Sequence, residues 1–209
     1  MSGQIFRRSI EVFISRELSP EARSKHLASV ARAGLREILG AKNSDVYTKT
    51  VDGVQGLSED LVKAEGVIRY EFSILPSVLG FLLGYLRNRA PVRSGRYRDS
   101  FFVGINGKMV MAKDINPKHL PLDAEVFIGN TQPYNRRVDV QRDGTKALSF
   151  SVPPDLYRDA AHAADRRFGA LLDIFRIYTM EFPGQYILKR GPRAGKRVHS
   201  PGIHIKPRI

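Results

Sequence analysis

The chain has 209 residues and no cysteine, and 34 lysines and arginines outnumber 21 aspartates and glutamates, which gives a formal net charge of +13. The missing cysteines exclude disulfides, thiolate nucleophiles and zinc sites built on sulfur. No apolar run reaches the roughly 18 residues that a membrane span needs, so we predict no membrane partner. The strongly basic balance favours contact with polyanions.

The first predicted elements are ambiguous at residues 10–14 and clear after them. The alternation over 10–14 is compatible with a strand, although the same apolar residues also fit a helical stripe. The stretch Ser19-Pro20-Glu21 is typical of a helix start, because it combines a capping hydroxyl, a first-turn proline and an acid. We predict a helix over residues 20–39, followed by strands over 46–51 and 67–74.

The middle of the chain predicts a buried helix and a hairpin. Pro76 opens an apolar helical stripe that continues to Leu86. Asn106-Gly107 lies between two apolar runs, and this dipeptide is a strong hairpin signal because both turn positions favour positive φ.

The remaining elements complete an α+β pattern. Residues 124–129 read as a strand, and 136–140 are predicted to pair with 147–152. Pro153-Pro154-Asp155 opens a helix, and 172–180 are predicted as the last strand. The fold class is therefore α+β: a mostly antiparallel sheet with two to three packed helices.

The C-terminal residues 189–209 combine many basic residues with prolines and glycines, and no acid. This composition predicts an extended basic arm and disfavours a long helix or a central strand. Two interpretations of this arm remain open. It becomes ordered on a neighbouring subunit or on DNA, or it is a solvated terminus. The predicted interface residues of the arm are Lys189, Arg190, Arg193, Lys196, Arg197, Ile203 and Ile205.

The sequence contains no pattern typical of catalysis, so we predict no catalytic residue, no metal and no cofactor. Three weaker sets stay open beside the simpler interpretation of solvated surface groups. They are a cation site (Asp114, Asp123, Glu125), a metal site (His199, His204) and a clamp for a phosphate or a partner carboxylate (Arg93, Arg96, Arg98).

Three segments in order carry a resemblance to a known family. Residues 90–101, Ala-Pro-Val-Arg-Ser-Gly-Arg-Tyr-Arg-Asp-Ser-Phe, resemble the Pro-Val-x-Ser/Thr-Gly-x-Leu/Tyr-Arg-x-Ser signature of the neck and tail-completion proteins of tailed bacteriophages. Residues 128–134 resemble the Ile-Gly-Asn…Pro-Tyr strand and turn of that family, and 156–161 resemble the start of its last helix. Arg93 stands where the family often has an acid, and Tyr97 where it often has leucine. The matching positions are Pro91, Val92, Ser94, Gly95, Tyr97, Arg98, Ser100, Pro133 and Tyr134.

The resemblance implies a non-enzymatic virion protein, made in the host cytoplasm, that forms or completes a ring at the head–tail junction. The implied partners are further copies of the chain, the portal or connector, and tail-tube or tail-terminator proteins, with transient contact to the passing DNA. The matching residues are then structural and interfacial. Residues 1–188 are predicted to form one domain with a possible inserted hairpin at 42–75. Deletion of 189–209 is expected to leave a folded monomer but to weaken assembly.

Two other functions remain possible at this stage. A basic nucleic-acid-binding protein without a structural role explains the charge, although the aromatic residues are not interleaved with lysine and arginine as stacking platforms. A small hydrolase is the weaker alternative, because no activated nucleophile is evident.

Overall fold

A computed structural model describes residues 19–40, 46–116, 120, 124–140, 142–143, 146–147 and 154–208 of the chain. It confirms the α+β class: α-helices accompany antiparallel sheets of three and five strands. The helices are α1 (Pro20–Gly40), α2 (Leu75–Arg89), α3 (Arg96–Asp99), α4 (Asn135–Val140) and α5 (Leu156–Phe168), with a 3-10 helix at Glu59–Leu61. The strands are β1 (Tyr47–Val51), β2 (Val54–Gln55), β3 (Ile68–Phe72), β4 (Phe101–Ile105), β5 (Lys108–Met111), β6 (Val126–Asn130), β7 (Arg142–Asp143), β8 (Lys146–Ala147), β9 (Leu172–Ile177) and β10 (Gly202–Pro207).

The chain divides into two compact units. The first comprises Met1–Ser77 with Leu120–Asp123, and the second comprises Val78–His119 with Ala124–Ile209. This division differs from a single domain over 1–188 with a hairpin at 42–75, because the described part of that segment joins α1 around a core of its own.

The first unit packs α1 with the antiparallel sheet β2-β1-β3. The predicted helix start is confirmed, since the Ser19 hydroxyl accepts the amide of Ala22 at 3.2 Å. The buried face of α1 contributes to a cluster with the inner residues of the sheet, and removing these apolar surfaces from water is the main stabilising contribution. Its fully buried members include Ala28, Val51 and Tyr70.

The second unit is built on the antiparallel sheet β5-β4-β6-β10-β9, with α5 packed against β9 and β10. The predicted hairpin joins β4 to β5, and its turn residues Asn106 and Gly107 have φ values of 46° and 79°. The helix predicted after residue 155 is α5. Its face of Tyr157, Ala160, Ala161, Ala164 and Phe168 is buried, as its spacing predicts.

Two strand predictions around residue 140 need correction. Residues 136–140 belong to α4 and are not a strand, and the observed pair is the short β7–β8 ladder of Arg142 with Ala147. The segment is helical from Asn135 onward, and the side chains of Asn135, Val138 and Asp139 are buried on one face of this helix. The predictions at residues 10–14 and 148–152 lie outside the described residues.

The prediction of an extended arm at 189–209 is wrong for its last part. β10 lies between β6 and β9, where Ile203 pairs with Ile128 on one side and Arg176 on the other. Ile203 and Ile205 are fully buried, so they are core residues of this unit and not interface residues of an arm. Proline is tolerated because Pro207 is the last residue of the strand.

The same arrangement overturns the expectation that deletion of 189–209 leaves a folded monomer. That deletion removes a central strand and its hydrogen bonds to both neighbours, and it leaves the edges of β6 and β9 open.

Candidate functional site

The motif of residues 90–101 forms the connection from α2 to β4. Gly95 has a φ of 73° and precedes α3, so this position favours glycine. At the other end, the Ser100 hydroxyl donates to the carbonyl of Arg96 at 2.6 Å and accepts from Gln132 Nε2 at 2.6 Å. The motif serine therefore links this turn to the segment that follows β6.

Arg98 ties the turn back to the end of α2. Its Nε donates to the carbonyl of Arg87 at 2.8 Å, and Arg87 Nε donates to the carbonyl of Arg98 at 3.4 Å. Arg87 also lies 3.7 Å from the Asp99 carboxylate. Two of the three arginines proposed as a phosphate clamp, Arg93 and Arg96, are exposed, whereas Arg98 is half-buried in this structural role.

Tyr97, Asn135 and Tyr157 form a buried polar network that links the first and third segments of the resemblance through Asn135, the residue directly after the second. Asn135 Oδ1 accepts from the Tyr97 hydroxyl at 2.6 Å and from the Tyr157 hydroxyl at 2.8 Å. Its Nδ2 donates to Ser200 Oγ at 2.8 Å and to the carbonyl of Pro201 at 3.0 Å. We call these residues the Asn135 network, and every hydrogen-bonding position of the Asn135 amide group is used.

A second set of bonds fixes the strand β6 against the motif turn. Asn130 Nδ2 donates to the carbonyl of Tyr97 at 2.8 Å, and the backbone amide of Thr131 donates to the carbonyl of Ser100 at 3.0 Å. The Tyr97 ring packs near Tyr134 with centroids 6.0 Å apart. The motif positions Tyr97 and Tyr134 are thus brought together. Pro133 is exposed on the turn between β6 and α4.

Burial raises the pKa of both tyrosines in the Asn135 network. Their hydroxyls remain protonated and act as donors to Asn135 at any physiological pH. Asp139 is also buried beside the network, and burial raises the pKa of its carboxyl. The Asp139 carboxylate accepts from the amide of Tyr157 at 3.1 Å and forms an ion pair with Arg176. These contacts identify a packing role, because burial removes the groups from solvent and from any ligand.

The other half of the motif lies at the surface. Val92 is 58% exposed, and Arg93 and Ser94 beside it are exposed as well. Pro91 is half-buried. The sequence motif therefore divides into an inner part that holds the turn in place and an outer part that is exposed at the surface.

Residues 186–198 form a closed loop before β10, which we call the basic loop. The amide of Val198 donates to the carbonyl of Tyr186 at 2.9 Å, and the amide of Leu188 donates to the carbonyl of Lys196 at 2.9 Å. At its base, the buried Gln185 donates to the carbonyl of Val198 at 2.7 Å. The predicted arm residues Lys189, Arg190, Lys196 and Arg197 are exposed on this loop, and Arg193 is half-buried.

The two weaker metal sets gain no support from the described part of the chain. Glu125 Oε1 lies 2.5 Å from His204 Nε2, and the His204 ring stacks on Phe127 with centroids 4.2 Å apart. His199 instead lies beside Arg136. Asp123 lies outside the described residues. In the described part of the chain no group of three His, Cys, Asp or Glu side chains is placed to hold a metal ion.

A groove of about 430 Å³ lies between α5 and the β9–β10 edge of the sheet. Its charged lining includes Asp173 and Arg208, which pair at 3.0 Å, and Arg176, which pairs with buried Asp139. Its lining residues include no serine, threonine or tyrosine hydroxyl. The non-enzymatic assignment stays a prediction.

Sequence reasoning did not single out Asn135, Ser200, Asp139 or Arg176. Asn135 follows the Pro133-Tyr134 pair directly, but no local pattern distinguishes it from the nearby amides of Asn130 and Gln132. Ser200 lies in a segment whose composition indicated a solvated arm, so no local pattern identified it.

The fold and this site define an α+β protein whose motif residues organise a buried polar network. Compared with known proteins, the chain matches no family model, and neither a curated protein nor a solved structure is significantly similar to it. None of the described helices is long and apolar enough to cross a membrane.

Proposed function

We propose that the chain is a structural virion protein of a tailed phage that forms or completes a ring at the head–tail junction. The observation that carries the proposal is that the three resembling segments meet around Tyr97 and Asn135. Tyr97 comes from the first segment, Tyr134 from the second and Tyr157 from the third, and all three surround one small part of the second unit. Segments that match one family in order and also pack together support a shared fold.

The sheet of the second unit offers surfaces for ring contacts. Among the described strands, β5 and β9 lie at its two edges. An edge strand presents backbone groups that a neighbouring chain is able to pair with. Near the β9 edge, Tyr178 is 69% exposed and Phe175 is 41% exposed. A contact between two different surfaces of identical subunits generates a ring when its rotation closes.

The exposed half of the motif supplies a further candidate contact. Val92 and its exposed neighbours project from a turn that the Asn135 network and the Arg87–Arg98 pair hold in place. A rigid turn loses little conformational entropy on binding, which favours its use at an interface.

The mass of the protein in solution tests the proposal. We expect light scattering to give a closed ring of fixed copy number, alone or on the purified portal protein of the same phage, at both low and high salt. Val92→Asp and Tyr178→Asp are expected to shift this mass toward the monomer while the circular dichroism spectrum stays unchanged. Arg166→Asp serves as the control, since Arg166 is an exposed residue of α5 in the same unit and belongs to no strand of the sheet.

A monomer that ignores the portal protein at every salt concentration contradicts the proposal. If that monomer also retains nucleic acid at moderate salt, the alternative of a basic nucleic-acid-binding protein without a structural role is favoured.

A further inference from the structure

The basic loop concentrates positive charge on a preformed scaffold. Five of the nine residues from 189 to 197 are lysine or arginine, and none is acidic. Backbone hydrogen bonds close the loop, including a bond of 2.8 Å from the amide of Gly195 to the carbonyl of Leu188. The charges are therefore held close to one another before any ligand arrives.

Most of this charge has no carboxylate partner among the described residues. Arg197 pairs with Glu181 at 2.8 Å, and it is the one cation of the loop with such a partner in the described part of the chain. Elsewhere in the same unit, Arg176 and Arg208 are paired with aspartates. The loop thus differs from the groove beside α5, where basic and acidic groups offset each other.

Arg136 of α4 extends the positive surface toward the base of the loop. Its Nη1 lies 3.3 Å from His199 Nδ1, and because a guanidinium only donates, this nitrogen of His199 acts as the acceptor. Burial lowers the pKa of His199, and the charges of Arg193 and Arg136 lower it further. Two arginines from separate elements therefore lie near the His199 imidazole. A bound anion is expected to offset their mutual repulsion.

We infer that the basic loop and Arg136 bind the phosphate backbone of duplex DNA. The anion-binding surface stands on the geometry alone, whereas the choice of DNA as its occupant rests on the proposed function. Lysine and arginine side chains contact the phosphates of a duplex without reading its bases, so we expect binding without sequence preference.

The composition of the loop favours nucleic acid over a lipid surface. From Lys189 to Arg197 the uncharged residues are glycine, proline and alanine, so the tip has no large apolar side chain to enter a bilayer. Exposed Ile187 lies at the base of the loop and not at its tip.

Charge removal on the full-length protein tests the inference. Lys189→Gln, Arg190→Gln and Lys196→Gln are combined in one variant, because all three side chains are exposed. At 0.1 M salt the affinity for a fluorescent 20-base-pair duplex is expected to fall about 10- to 100-fold, and the slope of log Kd against log salt to decrease by about 2.7, for three lost phosphate contacts.

A matched variant removes the same charge elsewhere in the second unit. Lys108→Gln, Lys113→Gln and Arg166→Gln also change three exposed residues. We expect this variant to keep its affinity within about 3-fold and its slope near the original, since these residues are not phosphate contacts in the proposed complex. Equal losses in the two variants overturn the inference, because they indicate a response to net charge alone.

The imidazole of His199 reports on the site directly. In a proton–carbon correlation spectrum assigned with His199→Gln, the pKa of His199 is expected to rise when the duplex binds, because phosphates offset Arg193 and Arg136. An unchanged pKa at saturating duplex overturns the inference.

Two further measurements separate this inference from the proposed function. Vesicles of phosphatidylglycerol and phosphatidylcholine are expected not to bind, and loop-dependent binding to vesicles without binding to the duplex overturns the choice of DNA. Light scattering of the loop variant is expected to give the mass of the unaltered protein. A ring that forms without binding DNA contradicts the inference alone, whereas a monomer that binds DNA through the loop contradicts the ring alone.

Discussion

Replacing Asn135 by alanine tests whether the Asn135 network holds the second unit together. Asn135→Ala removes one acceptor shared by the hydroxyls of Tyr97 and Tyr157, and both tyrosines are buried. It also removes the donor to Ser200 and Pro201. A buried polar group left without a partner costs about 1–3 kcal/mol, so we expect a loss of roughly 3–6 kcal/mol in the free energy of unfolding.

Tyr157→Phe is expected to behave differently. It removes one hydroxyl, while Asn135 Oδ1 keeps its bond from Tyr97 at 2.6 Å. No buried group is left without any partner, so the expected loss is about 1 kcal/mol, that of one hydrogen bond.

The decisive measurement is Tyr157→Phe in the Asn135→Ala background. There the Tyr157 hydroxyl has lost its acceptor, and removing it is expected to raise the free energy of unfolding by about 1 kcal/mol. Urea unfolding followed by far-ultraviolet circular dichroism gives all four values of the cycle. If Tyr157→Phe destabilises both backgrounds by the same amount, the two side chains are not coupled and the reasoning fails.

Two further predictions concern packing and pH. Gly202→Ala places a Cβ 2.6 Å from the carbonyl oxygen of Ile128, so we expect a thermal melt to show a loss of about 1–3 kcal/mol. Gly80→Ala in α2 meets nothing within 4 Å and is expected to gain about 0.5–1 kcal/mol; equal effects at both sites contradict the packing argument. Burial acts to raise the pKa of Glu59. Hydrogen bonds from Lys49 and from the Tyr70 hydroxyl outweigh burial and hold this pKa below its ordinary value of 4.5. The folded state therefore binds the proton less readily than the unfolded chain, and the free energy of unfolding decreases as pH falls below about 4.5. Urea titrations between pH 3 and 6 are expected to show a smaller decrease for Glu59→Gln, and the same decrease as in the unaltered protein refutes the assignment.

The inner half of the motif was predictable as a turn but not as a network. Pro91 and Gly95 indicated the helix exit from their backbone preferences, and the structure places a positive φ at Gly95. Asn135 and Tyr157, the other members of the network that Tyr97 joins, lie 38 and 60 positions further along the chain, and local spacing carries no information on them. Asn135 reaches its four hydrogen-bonding partners only in the tertiary structure, where α4 packs against α5 and near the residues before β10.

By itself the sequence determined the elements whose causes are local. Capping at Ser19, the Asn106-Gly107 turn and the apolar face of α5 depend on neighbours within a few residues, so their patterns specify them directly. Tertiary structure alone decided the place of β10. The prolines, glycines and basic residues around it predict an extended arm. In the structure, β10 instead lies between β6 and β9, and Ile203 and Ile205 are buried. The favourable free energy of burying two isoleucines and of pairing both edges of β10 exists only in the folded sheet. Local composition does not include this contribution, so it predicted an extended arm.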